Sequence, residues 1–336
     1  MGRDVGDAHG PPLPASRPAP YRDRHRGAAR NEAGVDATAR PGARTTPTFG
    51  RPGGRSPRAL LGRRRTLERM ETRRLGRTGL EVSVIGMGTW QTFDVPDPGR
   101  VQPVTDAVLA GGVSFFDSSP MYGAAEQVLA LSLGSRRTRV VVATKVWAGA
   151  AREGREQIRR ALEWYGGVVD LYQVHNLTAW EIHLPYLEEL QARGAVRAIG
   201  ITHWSAAEFD RMAAIVEGGR VGTIQVPYNP AERQVERGLL PLAAARGLGV
   251  IVMRPLGQGG LVRSGPPARE LAFLADFGLR TWAQALLNWG VSDPRVTVSI
   301  PATGQLPHAT DNCAVGRARR FDAAARDRVA ALARRR

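Results

Sequence analysis

The sequence predicts an α/β fold, a (β/α)8 or TIM barrel in a single domain, and three observations carry that expectation. Short β-branched runs alternate with amphipathic stretches from Met70 onward, the runs number eight, and the 267 residues holding them match the roughly 250 typical of such a barrel. Near-continuous apolar strands separated by helices describe a parallel sheet buried on both faces.

The first run, residues 82–88, leads into Gly86-Met87-Gly88, and the second, 113–118, runs through Phe115 and Phe116 to Asp117 and Ser118. The third, 140–145, reads Val-Val-Val-Ala-Thr-Lys and stops at Lys145. Runs at 168–175, 196–201, 223–228, 249–254 and 296–301 complete the set. The amphipathic stretches between them are 101–110, 124–133, 153–164, 181–193, 205–217, 235–246 and 281–289, and an Ala-Arg-rich helix at 321–336 closes the chain. The domain is therefore expected to span 70–336.

Residues 1–69 differ in kind. They are rich in Pro, Gly, Ala and Arg, lack apolar periodicity, and cannot bury enough apolar surface to offset their ordering entropy, so a disordered extension is expected. They hold 15 arginines against six acidic residues, which is nine of the formal +16 charge. The high pI of about 11.3 is thus largely a property of this segment, and no specific nucleic-acid partner is expected. Met70-Glu71-Thr72-Arg73-Arg74 reads as an ordinary protein beginning, with Met70 the true start and the extension a mis-start of the reading frame. No apolar stretch is long enough to span a bilayer, the Arg-rich leader has no apolar region behind it, and Cys313 is the lone cysteine, so a cytoplasmic location without a membrane partner is expected. Neither composition nor spacing sets an oligomeric state beyond a monomer or weak homo-oligomer.

A doubly wound dinucleotide fold is the rival, and its fingerprint fails here: Gly86-Met87-Gly88-Thr89-Trp90-Gln91 has glutamine where the third glycine belongs. There is no phosphate-loop lysine motif either, since no glycine run precedes the one lysine.

That lysine is itself a signal. Among 47 Lys and Arg residues only Lys145 is lysine, and it stands where an apolar strand opens into a loop. A compact ammonium shifts its pKa readily on burial, whereas arginine stays charged and wide. The other polar strand ends are Asp117, followed by Tyr122, then His175, and then Gln225, Tyr228 and Asn229. Residues at the carboxyl ends of barrel strands line the site in this fold. A buried Asp–Lys pair or a lone strand-end histidine is often purely structural, yet four such groups at successive strand tips form a proton-donating unit. Lys145, anchored by Asp117, is expected to lower the pKa of Tyr122, which protonates a carbonyl oxygen that His175 orients. No metal ligand set is expected.

Phe116-Asp117-Ser118-Ser119-Pro120-Met121-Tyr122-Gly123, then Ala143-Thr144-Lys145, then Asp170-Leu171-Tyr172-Gln173-Val174-His175 resemble, in order and spacing, the aldo-keto reductase superfamily. Leu75-Gly76-Arg77-Thr78-Gly79-Leu80-Glu81-Val82-Ser83 and Ile300-Pro301-Ala302-Thr303 add to the likeness, which covers residues 71–315. The resemblance implies reduction of aldehydes and ketones with NADPH lying across the barrel mouth, and a catalytic tetrad of Asp117, Tyr122, Lys145 and His175. It implies cofactor contacts from Gly88, Thr89 and Trp90 after the first strand, and from Thr202 and His203 in Gly200-Ile201-Thr202-His203-Trp204-Ser205, where most members have Ser-Asn. Gln225 matches the residue that bonds the carboxamide, and Tyr228 the ring that stacks on the nicotinamide. Pro255, Leu256, Gly257 and Gly259 match the pyrophosphate loop. Ile300, Ala302, Thr303, Gly304, His308, Asp311 and Asn312 match the adenosine end. There Gln305 and His308 stand where members usually have Arg or Lys, which leaves NADH possible beside NADPH.

Trp90, Tyr122, Trp147 and His175 are the expected substrate contacts, with Trp180 nearby; the tryptophans serve equally well as rim packing. Without a long C-terminal loop the substrate range is expected to be broad among small-molecule carbonyls. A non-catalytic, NADP(H)-sensing barrel resembling potassium-channel β subunits is the alternative.

Overall fold

Alternation of inward and outward side chains along short apolar strands builds the barrel wall. The structure is a computed structural model and describes residues 69–335. The disorder expected of residues 1–69 therefore lies outside the described residues, apart from Arg69. The chain opens on a hairpin of β1 (Thr72–Arg74) and β2 (Glu81–Ser83), in which Arg73 faces Val82 antiparallel. The barrel follows: β3 (Met87–Gly88), β4 (Phe115–Asp117), β5 (Val141–Val146), β6 (Val169–His175), β7 (Val196–Thr202), β8 (Thr223–Pro227), β9 (Gly249–Met253) and β10 (Val298–Ser299). These eight pair parallel in chain order, and parallel bridges Ile85–Ser299 and Gly88–Ala302 close the ring between its first and last strands.

The predicted run 82–88 is thus two elements. Ser83 breaks it: its N–H goes to Ser114 Oγ and its hydroxyl to the Ile85 carbonyl, so Val82 belongs to the hairpin and only Met87 and Gly88 to the barrel. The hairpin plugs the barrel floor. Leu75, Leu80 and Val82 pack with Phe115, Val141, Ala143, Leu171, Ala198, Ile251, Val298 and Ile300 into an interior cluster. Burying apolar area of this kind stabilises by about 25 cal/mol per Å2.

Ten α-helices lie among the described residues: α1 (Gln102–Ala110), α2 (Ala125–Leu133), α3 (Ala151–Trp164), α4 (Trp180–Ala192), α5 (Phe209–Glu217), α6 (Leu239–Ala245), α7 (Gly260–Arg263), α8 (Trp282–Val291), α9 (Leu306–Ala314) and α10 (Ala323–Arg334). On α3 the apolar stripe turns inward through Ile158 and Ala161, while the Arg and Glu residues of that helix face water. Thr281 and Gln284 form a capping box that starts α8, and the Asp322 side chain caps α10. None of the helices among the described residues is long and apolar enough to cross a membrane.

Candidate active site

Strand parity decides what reaches the barrel mouth. Phe115 of β4 and Val141 and Ala143 of β5 point inward, so two residues further along the same faces come Asp117 and Lys145. On β6 the inward face carries Leu171, then Gln173 and His175. A polar layer therefore sits directly on the apolar plug.

Lys145 is fully buried and donates to Asp117 Oδ2 and to the Ser118 carbonyl, each at 2.7 Å. Gln173 Nε2 donates to the other Asp117 oxygen at 3.3 Å. Burial pushes the Asp117 carboxyl up and the Lys145 ammonium down, and each partner's charge opposes the other's shift. The ammonium also lies over the Tyr122 ring, 5.3 Å from its centroid. Tyr122 ends the 3-10 turn Pro120–Tyr122, which Ser119 caps by accepting from the Met121 N–H. His175 stands edge-on to the tyrosine with ring centroids 5.8 Å apart. Its Nδ1 is 2.8 Å from Ser119 Oγ. Burial, with Lys145 and His203 adding repulsion, holds this imidazole well below its usual range, so it is neutral at pH 7.

The expected acidification of Tyr122 is not what the structure supports. Burial first, and then the Asp117 carboxylate, push the phenol up, and the cation acting in the opposite sense is Arg254. The charge of Lys145 is largely balanced by Asp117 at contact distance, so the phenol stays protonated across the physiological range.

A cleft of about 640 Å3 opens above this layer, within the range of small-molecule sites. Asp117, Tyr122 and His175 form part of its lining, while Lys145 lies behind Asp117. Gly88, Thr89 and Trp90 line it as expected, and the Thr89 hydroxyl bonds Ser118 Oγ at 2.9 Å. Gln225 lines it too, and its buried Oε1 has no hydrogen-bond partner among the described residues. Pro255, Leu256 and Gly259 line the wall after β9; Gly257 belongs to the same turn without lining the cleft. Gly257, Gln258 and Gly259 all have positive φ, at 57°, 53° and 81°. At Gly88 a Cβ would stand 3.0 Å from the Ile300 carbonyl oxygen, so no side chain narrows the cleft there. Ile300, Ala302, Thr303, His308, Asp311 and Asn312 line the far end, whereas Gly304 does not.

Tyr228, His203, Thr202 and Trp147, also expected contacts, do not line the cleft either. Tyr228 is fully buried on the outer side of its strand, tilted against Trp289 at 4.7 Å, with its hydroxyl bonded to Glu236, Asp293 and Arg326. At the strand end facing the cleft stands Met253, a thioether rather than a phenol ring. His203 accepts from the Ser205 N–H and stacks on Trp204, and it is Trp204 that lines the cleft. Thr202 is buried beneath, its hydroxyl unpartnered. Trp147 is 38% exposed and its backbone is clamped by Gln157 through two 2.8 Å bonds; neither it nor Trp180 lines the cleft.

Two arginines in the lining went unforeseen. Arg254 follows β9 with φ 52°, its carbonyl held by Asn229 and its guanidinium 5.1 Å from the Trp204 ring. Arg263 ends α7, four residues after Gly259, and packs against that glycine, where a Cβ would come within 2.9 Å of its guanidinium. The i to i+4 spacing from a loop glycine is the signal that could have found it. Gln305, the residue at the position where a cation is usual, does not line the cleft.

Residues 84–334 match the Aldo/keto reductase family. The chain is 27% identical over 250 residues to a methylglyoxal reductase, YeaE, of Escherichia coli, a match covering 70% of this chain and 86% of that protein. It is 30% identical over 229 residues to the aldo-keto reductase YhdN of Bacillus subtilis, covering 62% of this chain and 68% of that one. Among solved structures, an aldo-keto reductase from Klebsiella pneumoniae in complex with NADPH superposes with a TM-score of 0.65 at 25% identity, covering 78% of this chain and 95% of that chain.

Proposed function

Because the chain belongs to the aldo/keto reductase family, we propose that residues 70–336 form an NADPH-dependent reductase that converts aldehydes and ketones to alcohols, with Tyr122 as the proton donor. The observation that carries this reading is the convergence of a buried Lys145–Asp117 pair, the Tyr122 ring and the edge of His175 on the floor of one cleft.

The residues present fit a dinucleotide. The orphaned Gln225 acceptor suits a carboxamide N–H, the positive-φ turn at 257–259 with Arg263 suits phosphate oxygens, and Thr303, Asp311 and Asn312 stand where the adenosine end would lie. NADPH, when bound, supplies the hydride. The protein side of the reaction is proton management. Tyr122 keeps its proton until a carbonyl oxygen gains negative charge, because burial disfavours a free phenolate. The Lys145 ammonium, kept fixed by Asp117 and the Ser118 carbonyl, lies over the Tyr122 ring and holds it in place for the transfer. Neutral His175 holds the same carbonyl oxygen by a hydrogen bond and so orients it toward Tyr122. Trp90 and Trp204 wall the cleft with aromatic surface, which suits apolar carbonyl compounds.

The test is oxidation of NADPH, followed by its absorbance, with methylglyoxal or a nitrobenzaldehyde as acceptor. Tyr122→Phe is expected to lower kcat at least a hundredfold while NADPH binding, read by protein fluorescence, stays within twofold. Retained turnover in that variant, or an equal loss of cofactor binding, refutes the assignment.

A further inference from the structure

We propose that Ser119 is a positioning residue that fixes the tautomer of His175, so that Nε2 carries the ring proton and presents it to the cleft. The inference rests on the reductase reading for its purpose, but its geometry stands apart from that reading. Ser119 is fully buried, and among the described residues its Oγ meets only two groups: the Met121 N–H at 3.2 Å and His175 Nδ1 at 2.8 Å. The Met121 N–H can only donate, so it uses a lone pair of Oγ. The hydroxyl proton must therefore go to Nδ1, the one remaining neighbour within bonding distance.

The opposite arrangement, with Nδ1–H donating to Oγ, would leave a buried hydroxyl proton with no acceptor, and a buried unsatisfied donor is costly. Since burial keeps the ring neutral, the single imidazole proton is left to Nε2. Nδ1 is spent on the buried serine and the ring lines the cleft, so Nε2 is the nitrogen that faces a bound molecule. A neutral Nε2–H can donate to a carbonyl oxygen, whereas the other tautomer would present a lone pair and repel it. Ser119 also caps the turn that ends on Tyr122, so one hydroxyl ties the orientations of both side chains together.

The test uses the full chain labelled with 15N-histidine. Long-range 1H–15N correlation spectra identify the tautomer of each ring, and the His175 signals are assigned by their loss in His175→Gln. In the parent protein His175 is expected in the Nε2–H form. In Ser119→Ala it is expected to become a mixture or to invert. Ser119→Cys, which keeps a weak donor in nearly the same volume, is expected to restore part of the Nε2–H form. With an aldehyde substrate, Ser119→Ala should lose about tenfold in kcat/KM and leave NADPH affinity within twofold. An Nδ1–H tautomer in the parent, or an unchanged Nε2–H tautomer in Ser119→Ala, overturns the proposal. A Ser119-dependent tautomer in a protein that reduces no carbonyl would instead defeat the reductase reading and leave the Ser119–His175 coupling intact.

Discussion

Glu126 offers a sharp test of the electrostatics behind the site. It lies on α2, is 3% exposed, and accepts from the Thr144 hydroxyl, one residue before Lys145 on β5. Burial pushes its carboxyl from 4.5 up to about 7, with Thr144, Lys145 and Arg160 opposing the shift. Between those values the folded protein holds a proton that the unfolded chain has released. The contribution of Glu126 to folding stability therefore falls as pH rises from about 4.5 and levels off above about 7. At 1.36 kcal/mol per pH unit, the gap corresponds to about 3 kcal/mol. Glu126→Gln keeps an oxygen to accept from Thr144 but cannot ionise. It is expected to match the parent at pH 4 and to exceed it by about 3 kcal/mol at pH 8, measured by urea unfolding at half-unit pH steps. Every other titrating group is common to both proteins, so the difference between the two curves isolates this carboxyl. Parallel curves across the whole range, or a gap that widens toward acid, would show that Glu126 is ionised in the folded protein and that the reasoning is wrong.

Two further outcomes separate competing roles. Tyr228→Phe removes the hydroxyl that meets Glu236, Asp293 and Arg326, so it is expected to cost about 1–3 kcal/mol in urea unfolding and leave NADPH affinity unchanged; weaker cofactor binding at unchanged stability would restore Tyr228 to the cofactor site. Arg263→Ala is expected to weaken NADPH and NADH binding alike, about tenfold or more, as loss of a charge-assisted contact to the pyrophosphate they share does; a loss confined to NADPH would move Arg263 from the pyrophosphate to the 2′-phosphate.

The strand-end chemistry was legible because each functional residue closes an apolar run. Asp117 ends β4, Lys145 is the residue before the last of β5 and His175 ends β6, and the sequence needs no partner information to place them at one mouth. What failed was face, not position. Once Gln225 is taken as inward on β8, Tyr228 three residues later must point outward, and Met253, two residues beyond the inward Ile251 of β9, must point in. Parity alone would have exchanged Tyr228 for Met253. The hairpin of β1 and β2 was illegible for a different reason: β-branched runs announce a strand without naming its partner, and the break at Ser83 depends on Ser114, 31 residues away. The outward turn of His203 depends on a local bond to the Ser205 N–H and on its stack with Trp204, neither of which leaves a periodic trace.

The survival of one lysine among so many arginines then has a geometric cause. The space behind Tyr122 offers an ammonium two acceptors, Asp117 Oδ2 and the Ser118 carbonyl, both at 2.7 Å, with an aromatic face beside them. An ammonium has three donors and can satisfy two of them there while its third side lies toward the ring. A guanidinium carries five donors in a rigid plane, so the same two acceptors would leave three unmet in a fully buried position, at a desolvation cost for each. Arginine serves wherever this chain needs charge at a surface; at residue 145 the number and direction of the acceptors admit only the smaller cation.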